Sequence, residues 1–64
     1  MAMNNKKQIL CVEDDAAILM PLRYALERED WHVTWANTGS QAIDYVQQQS
    51  FDFIILDVGL PDLN

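Results

Sequence analysis

Much of what usually directs a functional reading is scarce in this chain of 64 residues. It has one cysteine, Cys11, so no disulfide can form within it. That thiol sits inside an apolar run and reads as a small buried hydrophobe in a reduced compartment. His32 is the only histidine and lies far along the chain, which leaves Cys11 without a partner for a metal or nucleophile role. Lysine and arginine number 4 against 10 aspartates and glutamates, a net charge of -6. With no basic stripe to neutralise phosphates, this chain by itself is not expected to bind nucleic acid, which leaves open DNA binding by another segment. No stretch approaches the roughly 20 apolar residues of a membrane span. The start, MAMNNKKQ, carries two lysines but no signal-peptide core or cleavage site. A soluble cytoplasmic protein with no membrane partner is therefore expected. Internal repeats and linkers are also missing, so residues 1–64 make at most one small domain. A chain of this size buries only about 60% of its unfolded surface and is marginal without a staple.

What is present centres on Phe51 to Pro61, FDFIILDVGLP. The apolar run Phe53-Ile54-Ile55-Leu56 stops at one carboxylate, Asp57, and Val58, Gly59, Leu60 and Pro61 form a turn-like exit. A short unbroken apolar run bounded by turn residues reads as a strand buried on both faces. An ionised carboxylate at its end is costly unless something compensates it. In open parallel sheets ligands bind at the carboxyl ends of strands, which makes Asp57 the first candidate for chemistry.

Taken in order, residues 1–5 read as unstructured and Lys6 to Val12 as the first strand, with Ile9-Leu10-Cys11-Val12 apolar on both faces. It ends in Glu13-Asp14-Asp15, of which Asp14 or Asp15 can cap the next helix. From Ala16 to about Glu29, Ile18, Leu22, Ala25 and Leu26 recur at helical spacing, with Arg23, Glu27 and Arg28 on the wet side. Pro21 lies past the first turn and predicts a bend near Ala17–Pro21. Trp31 to Ala36, WHVTWA, alternates as a half-exposed edge strand should, with His32 solvated and Trp31 and Trp35 as core and edge cover. After the turn Asn37-Thr38-Gly39-Ser40, which carries capping residues, a second helix runs to about Gln48 with Ala42, Ile43 and Val46 inward. Strand, helix, strand, helix, strand implies an α/β fold with a parallel sheet and helical crossovers. The two wholly apolar strands should be central and the alternating one at an edge, giving the spatial order second, first, third. Both crossovers must be right-handed yet travel in opposite directions, so the helices cover opposite faces and a switch point opens between strands one and three.

Neighbouring strands lie roughly 4.8 Å apart, so Asp57 and a carboxylate of the Glu13-Asp14-Asp15 group can share a small volume. Two like charges at about 4–5 Å repel by roughly 1 kcal/mol in water and by several times that when partly buried. Either one proton stays on or a cation sits between them. All-oxygen donors with room for water suit a hard ion, Mg²⁺ above Mn²⁺ or Ca²⁺, and Gly59 would let a backbone carbonyl approach it. On spacing alone two readings stand: this metal pocket, and an acidic surface in which Asp14 and Asp15 merely cap a helix.

ILCVEDDAAIL, followed about forty residues later by FDFIILDVGLPD, resembles the receiver domain of two-component response regulators. The resemblance runs from about Lys7 to Asn64, and LDVGLPD is most similar to receivers of winged-helix transcription regulators. It implies a truncated flavodoxin-like, doubly wound sheet, β-α-β-α-β in strand order 2-1-3. It makes Asp57 the phosphoacceptor for a sensor histidine kinase, and Glu13 and Asp14 the acidic pair holding Mg²⁺, Glu13 through water. Gly59 would add its backbone carbonyl, and Asp15, at a position of varied identity, stays a cap. Receivers promote their own phosphorylation and dephosphorylation in signal transduction without turning over a separate substrate, so no enzyme is expected. A DNA-binding domain is expected further on in the full-length protein. A metal-dependent phosphohydrolase with an aspartyl nucleophile is disfavoured, because such enzymes usually want a second acid where Gly59 stands.

The family fold has five strands and five helices, whereas this sequence ends in the loop after strand three, before the Ser/Thr and Lys that bind phosphoryl oxygens. Transfer by the chain as given is expected to be slow and its signalling output absent. The alternative is a non-catalytic interaction fragment that self-associates through a bare apolar edge on strand three. The isolated 64-mer is expected to be partly unfolded, aggregated or completed by self-association. Circular dichroism and analytical ultracentrifugation check this; a cooperative melt from a clean monomer contradicts it.

Overall fold

The structure, a computed structural model, describes residues 6–56; the expected unstructured start at residues 1–5 lies outside them. Its centre is β1 (Lys7–Val12), whose Ile9, Leu10, Cys11 and Val12 are all buried. A strand that is apolar at consecutive positions must have cover on both faces, since successive side chains point to opposite sides. The chain supplies that cover through α1 (Ala16–Arg28) and α2 (Gly39–Gln48), with β2 (Trp31–Ala36) and β3 (Phe53–Leu56) pairing on either edge. The sheet is wholly parallel in the order β2-β1-β3, as the sequence predicts.

Two half-cores lie on opposite faces. On one, Ile9, Cys11, Val33 and Leu19 pack together, flanked by Leu22, Leu26, Trp31 and Trp35. On the other, Leu10, Val12 and Ala36 pack with Ala42, Tyr45 and Phe51. The odd-numbered residues of β1 thus face α1 and the even-numbered ones face α2. The register is fixed at the far end by a reciprocal pair: the Gln8 amide donates to Asp52 Oδ2 at 2.7 Å, and the Asp52 amide to the Gln8 carbonyl at 2.7 Å. Trp31 and Phe53 meet edge to face over the same end, ring centroids 5.4 Å apart.

The rotation of both helices departs from expectation. Leu19, not Ile18, is the fully buried residue of α1, and Ile18 is 56% exposed, with Ala25 exposed as well. In α2, Ala42 and Tyr45 face the sheet while Ile43 and Val46 face outward. The apolar stripes are wider than the strip each helix lays on the sheet, so the core takes one flank and leaves the other in water. α1 is a single helix with Pro21 inside it. It closes at Asp30, whose φ of 70° is the left-handed conformation that often ends a helix and that aspartate tolerates. The first strand begins at Lys7 rather than Lys6.

β3 also departs from the reading of its apolar run as a strand buried on both faces. Phe53, Ile54, Ile55 and Leu56 are between 39% and 57% exposed. The physical reason is placement: α1 rests on β2, and α2 on β2 and β1, so neither helix reaches over β3 to the same extent. Among the described residues β3 is an apolar edge strand, as the strand order requires.

Cys11 is a core residue, 1% exposed, and burial raises its pKa above the ordinary 9.0 by penalising the thiolate. The folded state favours the neutral thiol, so this contribution is intact below about pH 9.0 and is lost as pH climbs through the raised folded value. We expect denaturation midpoints to fall at alkaline pH in the wild type, and Cys11→Ala to remove that alkaline slope while lowering stability at neutral pH. Urea titrations across the alkaline range measure both.

Candidate functional site

The acidic group Glu13-Asp14-Asp15 sits where β1 gives way to α1, at the carboxyl edge of the sheet. Each residue has a different setting. Asp15 is the N-cap of α1: its backbone is extended, and its Oδ1 accepts from the Ala17 amide at 2.9 Å. That satisfies one of the otherwise orphaned amides of the first turn. Asp14 is exposed to water. Glu13 is half-buried and tied down at three atoms. Its amide donates to the Ala36 carbonyl at 2.9 Å, its carbonyl accepts from Trp35 Nε1 at 2.7 Å, and its Oε1 accepts from the Asp15 amide at 3.1 Å.

On the other side of the switch point, β3 runs parallel to β1 in a register that pairs Cys11 with Ile55 and Val12 with Leu56. The two strands therefore end level, and the next residue after Val12 is Glu13. Asp57 and Gly59, the expected phosphoacceptor and carbonyl donor, lie outside the described residues. Among the described residues no group of three or more His, Cys, Asp or Glu side chains is close enough to hold a metal ion. Of the expected ligands, the structure describes Glu13 and Asp14 alone.

The bland readings of other residues hold. His32 is exposed and Cys11 is buried among apolar neighbours. Among the described residues, one surface depression on the helices is lined by Met20, Pro21, Arg23, Tyr24 and Glu27 and another by Gln41, Asp44, Tyr45 and Gln48. Their lining is the outer surface of single helices, which gives no convergent polar chemistry.

One contact escaped the sequence reading: the indole of Trp35, expected only to cover core and edge, reaches the Glu13 carbonyl. The available signal was the indole N–H itself, which usually finds an acceptor when partly buried. Trp35 also stands one residue before the end of β2, level with Cys11.

The sequence matches the response regulator receiver domain over residues 9–64. The chain belongs to that family. Among curated proteins it is 43% identical over 63 residues to the alginate biosynthesis transcriptional regulatory protein AlgB of Pseudomonas putida, covering 98% of this chain and 14% of that protein. It is 40% identical over 58 residues to the alkaline phosphatase synthesis transcriptional regulatory protein PhoP of Bacillus subtilis, covering 91% of this chain and 24% of that protein. A third relative, the probable transcriptional regulatory protein TcrX of Mycobacterium tuberculosis, is 38% identical over 56 residues, 88% of this chain and 24% of its own length. The chain thus spans about a quarter or less of the length of these relatives. No solved structure gave a significant match. No helix among the described residues is long and apolar enough to cross a membrane.

The cap gives the first test of how this rim is built. Replacing Asp15 with alanine leaves the Ala17 amide without its side-chain acceptor, while the backbone amide that donates to Glu13 Oε1 is retained. We expect a loss of about 0.5–2 kcal/mol in denaturant titrations, with Asp15→Asn retaining most of the stability.

Proposed function

We propose that this receiver accepts a phosphoryl group on Asp57 from the phosphohistidine of a sensor kinase, beside a magnesium ion held by Glu13, Asp14, Asp57 and the Gly59 carbonyl. The observation that carries this reading is the register of β1 and β3. Val12 pairs with Leu56, so the strand that leads to Glu13 and Asp14 finishes level with the strand that leads to Asp57. Family membership supports the same assignment, and Asp57 is the one carboxylate in the segment that follows β3 before Pro61.

The described half of the proposed site suits a hard cation. Its donors are all oxygen; Asp14 is open to water, and Glu13 is half-buried and already oriented through the Asp15 amide. An ion that keeps part of its hydration shell fits a rim of this kind better than one needing an enclosed cage. When bound, magnesium supplies positive charge against the equatorial oxygens of the transferring group.

The chain's own residues do the rest. An oxygen of Asp57 attacks phosphorus in line with the leaving nitrogen, the P–N bond breaks, and its electron pair returns to the kinase imidazole. Asp57 is left as an acyl phosphate, which water later hydrolyses to restore the carboxylate. Glu13 and Asp14 raise local negative charge at the rim, which disfavours an anionic donor until a cation is present. The relatives are named as transcriptional regulatory proteins, and we assign the natural protein the same kind of output, through a DNA-binding region outside this chain.

A second reading, self-association through β3, is favoured by the exposure of all four of its apolar residues. Unprotected apolar edges of this kind recruit further strands.

The natural protein incubated with acetyl phosphate and magnesium is expected to gain the mass of one phosphoryl group by intact-mass spectrometry. Asp57→Ala, or removal of magnesium with a chelator, is expected to abolish the adduct. An adduct that persists in Asp57→Ala, or a wild type that never forms one, overturns phosphoacceptance at this residue.

A further inference from the structure

The end of the β1–β2 ladder is unusual in its chemistry. In a parallel pair, the amide of one residue donates to the partner strand and its carbonyl accepts from a residue two further along that strand. The Glu13 amide obeys this rule, donating to the Ala36 carbonyl at 2.9 Å. The donor due to the Glu13 carbonyl is then the amide of Thr38. Thr38 has left the sheet, however: it is the N-cap of α2, its Oγ1 accepting from the Gln41 amide at 3.1 Å. The preceding residue, Asn37, gives its amide to the Gln41 side chain at 2.9 Å. The Glu13 carbonyl receives Trp35 Nε1 at 2.7 Å instead, from a side chain 22 residues away that is itself partly buried.

We propose that Trp35 is a positioning residue for the metal-binding acid Glu13, its indole N–H replacing the ladder donor that β2 withdraws to start α2. The inference rests on the proposed magnesium site. Glu13 is the first residue beyond β1, and the indole adds a second tie to β2 beside its own amide bond to the Ala36 carbonyl. With the indole in place both peptide groups of Glu13 are held by β2, and Oε1 is held by the Asp15 amide. The carboxylate then meets the cation in one orientation, so less freedom is lost on binding. Groups that orient a metal ligand without touching the metal commonly govern affinity in this way. Trp35 is well placed for the task because its ring packs beside Cys11, Val33 and Leu19, which anchors the donor to the core.

The test is isothermal titration of the natural protein with magnesium, beside thermal denaturation in chelator. Trp35→Phe keeps an apolar ring and deletes the donor; replacement of Trp35 by 3-benzothienylalanine keeps the bicyclic shape and exchanges only N–H for sulfur. Both are expected to weaken magnesium binding by roughly 3–10-fold, the range set by one hydrogen bond. Trp31→Phe, which touches the core but not the rim, is expected to lower the melting temperature and leave magnesium affinity unchanged. Glu13→Gln is expected to abolish most of the binding. If both Trp35 replacements bind magnesium as the wild type does while Glu13→Gln does not, the positioning role is overturned and the metal site stands. If the wild type takes up no magnesium, the site and the positioning role fall together.

Discussion

Everything described here depends on β1 being satisfied on four sides at once. Its edges are hydrogen-bonded to β2 and β3, and its faces are covered by Leu19 of α1 and by Ala42 and Tyr45 of α2. A strand in that position has no polar face to spare, which is why Ile9-Leu10-Cys11-Val12 contains no polar residue. Polarity can return only where the strand leaves the sheet. It does so abruptly, with three successive carboxylates at the carboxyl edge. The apolar core and the acidic rim are therefore two consequences of one constraint.

That constraint explains how much was legible in the sequence. The alternation of β2 marks it as an edge strand, and the crossovers then give the order β2-β1-β3, although the apolar run of β3 has the same pattern as that of central β1. The N-cap at Asp15 was legible from an acid directly before an apolar-periodic stretch. The rotation of α1 was not. Ile18 and Leu19 are adjacent, and helical periodicity accepts either as the inward residue. Only the sheet beneath decides, and it takes Leu19, which sits in the same half-core as Leu22 and Leu26. The same ambiguity moved Ile43 and Val46 outward and Tyr45 inward in α2.

The rim itself was half legible. Residue types and spacing identify acids at strand ends, because such acids need a reason to be there. They say nothing of which backbone groups at the rim lack a partner. The Trp35 contact depends on β2 ending at Ala36 and on Thr38 turning away to cap α2, a coincidence of boundaries that no local pattern contains. The pairing of Val12 with Leu56 likewise emerges from the tie between Gln8 and Asp52 at the opposite end of the sheet.

β3 shows the converse case, in which pattern and environment disagree. Its four apolar residues have the composition of a strand covered on both faces, yet the helices lie mainly over β2 and β1 and leave it largely exposed. Composition of this kind is a statement about the surroundings in which a strand is stable, not about those it has in a given stretch of chain. Burying four such side chains would stabilise the sheet by several kcal/mol, at about 1.5–3 kcal/mol for each full burial. That is comparable to the net stability of a small domain. The strand that precedes Asp57 is thus the least supported part of the sheet, while the strand that precedes Glu13 is the most supported. A partner that covers β3 would add most of its stabilisation on the Asp57 side of the switch point.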